Sequence, residues 1–450
     1  MTRRLTFTAA AAVLALAALQ GRAVADGTPA APTAPATWQS RGTAISGAAT
    51  TADAPAMRPA TTYTDTIAVG QTRFYGVTLD ATSSAYVSAF ALPPAGTRVT
   101  YGDGIEMKLQ SADGSDCDSR DIHFGDENDP RPIGSAVTRL IGVGTSCQTA
   151  NQYTLEVHRT SAGTSDPGRW PLELRFVSEP GLKAGSAAPH APVTGTDTPS
   201  PTPLTTGTPR PAQGGTGFDT AAALKTGIWK DRVLPGETRF YKVPVDWGQQ
   251  ATVFADFSSA QVKDTSQYIS GGVRLTAYSP VREFVDDSDH GYQGTPTSLH
   301  EQLAPVSYAN RASDDDQVSR VRYAGWYYFA VTVHPDVAKA VGGPVPVTLR
   351  VDVTGSAQAA PAYAADARPA GIGVDAHDVS SANGTAASSS GSSGTSALRF
   401  LAFASLGAGT VLLLSLAVWY ATARRRAGRA GQPVDAVPGP YQQGPGPSGW

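Results

Sequence analysis

Acidic residues crowd around the first cysteine of the chain, and their side chains are suited to binding a metal ion. Asp113, Asp116 and Asp118 lie close together on either side of Cys117. Calcium prefers several carboxylate and carbonyl oxygens on a flexible loop. Aspartate also favours ordinary solvated turns, and the EF-hand spacing is absent. The sequence therefore leaves two alternatives for these aspartates, a calcium site and a solvated turn, and it indicates no cofactor other than this possible calcium ion.

The two cysteines, Cys117 and Cys147, predict a disulfide bond. An even number of cysteines in an exported protein is typical of disulfides. Closing a loop of about 30 residues stabilises a domain by roughly 3–4 kcal/mol in the chain-entropy model. A metal site is the alternative, but no CxxC or histidine-rich spacing accompanies the pair.

Signatures of catalysis are absent from the sequence. It has no GxSxG motif, no P-loop and no dinucleotide fingerprint. His300 and Glu301 begin a zinc-protease motif, but Ala304 stands where the second histidine is needed. A formal net charge of -3 over 450 residues gives no basic field for nucleic acid. We therefore predict a protein that is not an enzyme and does not bind nucleic acid.

Aromatic residues are frequent in the second half of the exported region. A sugar-stacking platform is one interpretation, and a sandwich core is the other, because aromatics have high β-propensity and bury well. The alternation of residues favours the core, although either Tyr327 with Phe329 or Trp326 with Tyr328 would face outwards. The candidates are Trp229, Trp247, Trp326, Tyr327 and Tyr328.

The elements around these residues come from an internal repeat. Gly70–Tyr75 (GQTRFY) recurs as Gly236–Tyr241 (GETRFY), and later segments match in the same order, including Pro171–Phe176 and Pro346–Val351. Chance does not easily produce several matches in one order. The sequence therefore predicts two related domains with loops of different length.

Within each repeat, apolar residues alternate with a period of two. Tyr75, Val77 and Leu79 form one such set, which is typical of a strand with one buried face. Short alternating strands between turn residues predict a mainly β fold with two antiparallel β-sandwich, jelly-roll-like domains in tandem. The recurrent Arg73 and Arg239 are predicted to support a turn or a strand end and not to bind a ligand.

The pattern of a turn, G-[QE]-T-R-F-Y, an alternating strand and a later A-G-x-Y-x-F-x-V-x-V resembles bacterial pre-peptidase C-terminal β-sandwich modules. The resemblance covers 61–177 loosely and 226–353 more closely. It implies non-catalytic modules that accompany secreted enzymes or bind surfaces. This chain departs from the family pattern because no peptidase domain precedes the modules.

The N-terminus has the features of a secretory signal peptide. Arg3 and Arg4 are followed by an apolar run, Leu5–Leu19, and by the small residues Ala23–Ala25. The apolar run is short for a membrane span. We therefore predict cleavage after Ala25 and export of the mature chain; the alternative is an uncleaved N-terminal anchor.

Near the C-terminus, Phe400–Ala423 carries no charged residue. As a helix it would be about 36 Å long, enough to cross a hydrocarbon core of about 30 Å with some tilt. Four arginines follow it closely and one precedes it, so the positive-inside rule places the C-terminus in the cytoplasm. We predict a single-pass protein of the cell membrane, with the N-terminus outside.

Composition divides the chain into eight parts. Stretches rich in Ala, Thr, Pro, Gly and Ser are predicted to be disordered linkers. The parts are a signal peptide (1–25), a low-complexity lead (26–60), β-sandwich domain 1 (61–180), a Pro/Thr/Gly-rich linker (181–215), β-sandwich domain 2 (216–355), a Gly/Ser/Ala-rich stalk (356–397), a transmembrane helix (398–423) and a cytoplasmic tail (424–450).

These features predict a non-enzymatic cell-surface protein that binds or scaffolds, with a cell-wall or envelope partner. Tandem modules on a stalk favour multivalent contact. The alternative is a membrane-tethered accessory subunit of an extracytoplasmic hydrolase or secretion complex. The strong bias towards arginine over lysine, of which there are seven, is typical of a high-GC, actinobacterial genome.

Overall fold

The computed structural model describes residues 34–125, 129–144, 146–186 and 200–385. The predicted signal peptide, transmembrane helix and cytoplasmic tail lie outside these residues. Within the described part of the chain, no helix has the length and apolar character needed to span a bilayer.

The first sandwich contains ten strands in two five-stranded sheets. Its outer sheet has the order β2-β4-β9-β6-β7, and its inner sheet, which faces the second sandwich, has the order β1-β3-β10-β5-β8. The strands are β1 (Thr43–Ala44), β2 (Ala56–Met57), β3 (Thr61–Ile67), β4 (Thr72–Leu79), β5 (Ser84–Ala91), β6 (Gly104–Ser111), β7 (Asp116–His123), β8 (Ile133–Arg139), β9 (Asn151–Thr160) and β10 (Trp170–Glu179).

The second sandwich repeats this topology. Its inner sheet has the order β12-β14-β19-β16-β17, and its outer sheet has the order β11-β13-β20-β15-β18. The strands are β11 (Arg210–Pro211), β12 (Ala222–Ala223), β13 (Gly227–Val233), β14 (Glu237–Val245), β15 (Gln250–Phe257), β16 (Val273–Tyr278), β17 (Phe284–His290), β18 (Thr297–Gln302), β19 (Gly325–Val333) and β20 (Val345–Thr354). Adding ten to each strand number of the first sandwich gives the second, as the sequence repeat predicted.

Short helices interrupt the second half. The 3-10 turns are Phe218–Thr220, Tyr308–Ala312 and Arg368–Ala370, and the α-helices are Asp316–Ser319, Val337–Ala340 and Ala376–Ser381. The predicted mainly β sandwich fold is confirmed. One detail differs from the antiparallel expectation: the two-residue strand at one edge of each sheet runs parallel to its neighbour.

The alternation in the sequence corresponds to burial in the structure. Tyr75, Val77 and Leu79 are buried between the two sheets of the first sandwich, whereas Thr78 is exposed. Burial of one face of each strand provides the apolar contact that holds the sheets together.

The repeated hexapeptide forms a cluster around a buried tyrosine. In the first sandwich the Tyr75 hydroxyl donates to Asp65 Oδ2 at 2.9 Å, and the Gly47 amide donates to the same oxygen at 2.8 Å. Arg73 Nη1 donates to the Gly47 carbonyl at 2.6 Å. A Cβ atom at Gly47 would lie 2.7 Å from the Tyr75 ring, so this close approach requires glycine.

The second sandwich contains the same cluster. The Tyr241 hydroxyl and the Gly214 amide both donate to Asp231 Oδ2, at 2.8 and 2.7 Å, and Arg239 Nη1 donates to the Gly214 carbonyl at 2.8 Å. Arg239 therefore ties the segment before β13 to β14. The prediction that the recurrent arginines have a supporting role is confirmed.

The two sandwiches belong to one compact unit, in which their inner sheets pack against each other. Along β5, Val87 and its like-facing neighbours fill the first core, whereas Tyr86 and Phe90 join clusters formed mainly by residues of the second sandwich. Ser88, between Tyr86 and Phe90 on the same face, is 1% exposed. Strand β5 is therefore buried on both faces: one face packs in the core of the first sandwich, and the other packs against the second sandwich.

Segments that composition assigns to the lead and the stalk also pack on this unit. Trp38 lies between Phe90 and Phe240, with ring centroids 5.7 and 5.2 Å away. The Tyr363 hydroxyl donates to Glu179 Oε1 at 2.7 Å. Single aromatic residues in low-complexity sequence thus supply contacts that composition does not reveal.

Candidate interdomain binding cleft

The predicted disulfide bond is confirmed. Cys117 on β7 is bonded to Cys147, with Cα atoms 5.7 Å apart. The bond ties the exposed edge strand of the outer sheet to the loop that precedes β9.

The three predicted calcium ligands have separate partners. Asp113 accepts from the Ser111 hydroxyl and from the Ser115 amide, and the hydroxyl contact is the main reason why the pKa of Asp113 lies below its usual value. Asp116 accepts from the Gln110 side chain at 2.8 Å. Asp118 contacts other groups, described below.

Asp118 is turned towards a neighbouring strand. Its Oδ2 accepts from the amide and the hydroxyl of Thr138 at 2.8 and 3.0 Å, and its Oδ1 pairs with Arg120. Among the described residues, no group of three or more His, Cys, Asp and Glu side chains is placed to hold a metal ion. The calcium hypothesis therefore has no geometric support here.

The aromatic candidates for sugar stacking are mostly core residues. Trp229, Trp247 and Tyr327 are at most 5% exposed. Trp326 and Tyr328 are half-buried on the opposite face of β19; Tyr328 packs on Phe218 at the domain interface. The core interpretation holds for Trp229, Trp247 and Tyr327.

Buried ion pairs cross the interface between the sandwiches. Glu173, on β10, accepts from Arg282 Nη1 at 2.7 Å, from Trp38 Nε1 at 3.1 Å and from the Arg41 amide at 3.1 Å. Arg282 is 2% exposed and also pairs with Asp219 at 2.8 Å. Burial opposes the charge of Arg282, but the two carboxylates hold its pKa above the ordinary value.

A second carboxylate on β10, Glu179, is bound in the same way. It is 1% exposed, pairs with Arg311 Nη2 at 2.8 Å and accepts from the Tyr86 and Tyr363 hydroxyls. Buried charges persist where counter-charges and hydrogen bonds satisfy them. In these two clusters the first sandwich supplies the acid, and the second sandwich supplies the arginine that neutralises it.

On one side of this interface the two sandwiches enclose an open cleft of about 430 Å³. Small-molecule sites in proteins commonly have volumes of about 300–1,000 Å³. The wall from the first sandwich consists of residues of β7 and β8 and of three residues between these strands, Gly125, Arg131 and Pro132. The wall from the second sandwich consists of residues of β16 and β17 and of Arg320, which follows the helix Asp316–Ser319. We call this space the interdomain cleft.

Two arginines of the first sandwich line the interdomain cleft. Arg120 pairs with Asp118 and, across the interface, with Glu283 at 3.4 Å. Arg131 pairs with Asp129 at 3.3 Å, two residues earlier in the chain. Both guanidinium groups are thereby held in place at the wall of the cleft.

Two arginines of the second sandwich line the opposite wall. Arg274, on β16, pairs with Asp287 on the adjacent strand. Arg320 pairs with Asp316 at 2.6 Å, one helical turn earlier, and its guanidinium lies 5.8 Å from the Phe284 ring centroid. The four arginines face two lining carboxylates, Asp121 and Asp287.

Apolar groups complete the lining. Tyr278 and Phe284 meet edge to face with centroids 6.3 Å apart. Among the lining residues, His123 Nε2 lies 2.6 Å from Asp121, and the exposed Tyr101 ring, outside the lining, stacks on the imidazole with centroids 6.4 Å apart. The cleft therefore offers guanidinium donors and aromatic rings, a combination suited to binding.

Sequence reasoning did not find this cleft. Its four arginines are spread over two domains and belong to no spaced motif, and each stands near acidic residues that suggest an ordinary solvated surface. The signal that could have drawn attention is the acidic character of β7 and β17, the edge strands of equivalent sheets, beside Arg120 on β7 and Arg274 on β16.

No family model and no curated protein matches the chain. Among solved structures, the CUB1-EGF-CUB2 domain of human MASP-1/3 is 7% identical, covers 64% of this chain and 99% of its own, and has a TM-score of 0.15. The ANX1 ectodomain from Arabidopsis thaliana is 6% identical, covers 62% and 81%, and has a TM-score of 0.16.

The M60 catalytic domain with two CBM51 domains from Clostridium perfringens ZmpB is 9% identical, covers 63% of this chain and 34% of its own, and has a TM-score of 0.17. Likenesses of this size carry no argument about function. The resemblance to pre-peptidase C-terminal modules stays a prediction. The class that the fold itself defines is a mainly β protein with two repeated sandwich domains and one disulfide bond.

Proposed function

We propose that the chain is a non-enzymatic, cell-surface binding protein that holds a two-sandwich unit outside the cell on a membrane anchor. The N-terminal signal, the uncharged segment Phe400–Ala423 and the arginines after it support this topology. A disulfide bond agrees with an oxidising, extracytoplasmic location.

The interdomain cleft is the observation that carries the binding role. Both walls are needed to form it, so the two modules act together and not as two independent binders. Its lining provides donors and rings for recognition. Ser135, one of the lining residues, accepts a hydrogen bond from the Phe284 amide at 3.0 Å, so its hydroxyl oxygen links the two walls.

Capture of envelope components on intact cells tests this function. The tagged full chain is cross-linked on cells and extracted in detergent, alongside a double variant, R131E/R320E, and a control, R98E. Arg98 is 68% exposed and lies outside the cleft lining. We expect wild type and R98E to capture the same envelope component and the double variant to lose it.

Equal capture by all three chains would contradict a binding role for the cleft. Robust turnover of peptides or glycans by the purified full chain would contradict the non-enzymatic assignment.

A further inference from the structure

The interdomain cleft has a chemistry that narrows its ligand. Four of its lining side chains are arginines, two from each sandwich, and two are aspartates. Three of the arginines also pair with Asp118, Asp129 and Asp316, which do not line the cleft. Guanidinium groups bind carboxylates and phosphates through paired N–H donors. An arginine-lined wall on each side therefore favours a ligand that carries acidic groups at both ends.

Donor capacity remains on two of these arginines. A guanidinium has five N–H donors. The contacts of Arg131 with Asp129 involve one of its nitrogens, Nη1. Arg320 uses Nη1 for the Val285 carbonyl at 3.4 Å and Nη2 for Asp316 at 2.6 Å. Further hydrogen bonds to a ligand are therefore compatible with the existing ion pairs.

The resident carboxylates position these arginines without closing the cleft. Asp129 and Asp316 are near neighbours of Arg131 and Arg320 in the chain, so each pair lies within one sandwich. Loss of either pair leaves the cross-interface contacts of Glu173 and Glu179 in place. On the wall formed by the second sandwich, the Phe284 and Tyr278 rings provide an apolar surface for the body of a ligand.

From this arrangement we infer that the interdomain cleft binds a small molecule with two or more carboxylate or phosphate groups, held by Arg131 on one wall and Arg320 on the other. The inference rests on the proposed binding function. It deepens that function by naming the ligand class: a multivalent oxyanion with a compact, partly apolar or sugar-like body.

Calorimetric titration of the detergent-extracted full chain at low ionic strength tests the inference. The probes are citrate for carboxylates, fructose 1,6-bisphosphate for phosphates and fructose as the neutral match. We expect at least one anionic probe to bind and fructose not to bind. The affinity falls with added salt, because exposed charges are screened.

Variants with opposite expected signs separate ligand contact from general damage. R131M and R320M each weaken binding by about 10-fold, the effect expected when a charged hydrogen bond is lost. D121N tightens binding by about threefold, because it removes a repelling carboxylate from the lining. R98M, which alters an exposed arginine outside the cleft lining, leaves the affinity unchanged.

Binding of fructose as tight as that of the anions would overturn the inference, as would equal affinities of R131M, R320M and R98M for the anion. Absence of heat with both anionic probes would overturn it too. Capture of an envelope component that persists in that case would leave the binding function standing with a different ligand class. If the wild-type chain binds the anion but captures no envelope component on cells, the surface-binding role alone is contradicted.

Discussion

Replacing Arg282 by methionine is expected to weaken the contact between the sandwiches more than the loss of an exposed arginine would. Arg282 is 2% exposed and Glu173 is 1% exposed, so neither charge is solvated by water. In R282M, Glu173 keeps its contacts with Trp38 and the Arg41 amide but loses the arginine with which it forms a buried ion pair.

The size of the effect follows from burial. Removing one partner of a buried pair costs about 3–5 kcal/mol, because an uncompensated charge stays in the interior. Asp219, the other partner of Arg282, is 45% exposed in its side chain and can be solvated. The loss of the ion pair between Asp219 and Arg282 therefore adds little to the cost in free energy of unfolding. The aliphatic part of methionine fills most of the vacated volume, which limits any cavity cost.

Denaturant unfolding of the full chain, followed by tryptophan fluorescence, measures the effect. The matched control is R98M. Arg98 and its partner Asp166 are both exposed, so we expect R98M to change the free energy of unfolding by less than about 1 kcal/mol. The double variant E173Q/R282M removes the stranded charge and is expected to be more stable than R282M alone. A loss in R282M no larger than in R98M, or a double variant no better than the single one, would refute the reasoning.

Three further predictions concern other buried groups. Burial raises the pKa of Glu301 from 4.5 to about 8, so the folded chain keeps a proton that the unfolded chain loses. The associated stability is fully present below pH 4.5 and declines as the pH rises through 8; E301Q should lack this decline in pH-dependent melting, and an identical profile would count against it. Replacing Cys117 and Cys147 by serine should cost about 3–4 kcal/mol in urea unfolding, whereas an unchanged midpoint would speak against a stabilising bond. Tyr241→Phe leaves Asp231 with one fewer donor and should cost about 1–3 kcal/mol; a thermal midpoint equal to that of wild type would contradict this.

The parts of the fold that sequence predicted are those determined by local pattern. Period-two alternation identified the face of β4 that carries Tyr75 and Val77, and the repeated hexapeptide predicted two related domains. The disulfide bond was predicted from the even number of cysteines and the predicted export of the chain alone. These signals depend on residues that are close in sequence or that recur in order.

The contact between the sandwiches could not be predicted in the same way. Glu173 and Glu179 alternate with apolar residues on β10, a pattern typical of a solvent-facing side. Their partners Arg282 and Arg311 lie 109 and 132 residues later, and no local signal links them. Strand β5 did carry a hint, because its eight residues include no charge and all are buried.

Composition also concealed ordered segments. The predicted lead contains Trp38 and the edge strands β1 and β2, and the predicted stalk contains the helix Ala376–Ser381. Two-residue strands need only backbone hydrogen bonds with a neighbouring strand, so short residues such as those of β1, Thr43 and Ala44, suffice to form one. The low-complexity signal therefore does not distinguish a free linker from a segment that lies on a folded surface.

Thiol labelling on intact cells tests the central claim most directly, namely that the two sandwiches form one unit displayed outside the cell. The described part of the chain contains no free cysteine, so Ser88→Cys and Thr78→Cys each introduce one reporter. Ser88 is 1% exposed and is covered by the second sandwich, whereas Thr78 is exposed on β4. With a membrane-impermeant maleimide, we predict rapid labelling of T78C and none of S88C until the chain is denatured. Equal labelling of S88C would contradict the single unit, and an unlabelled T78C on intact cells would contradict display outside the cell.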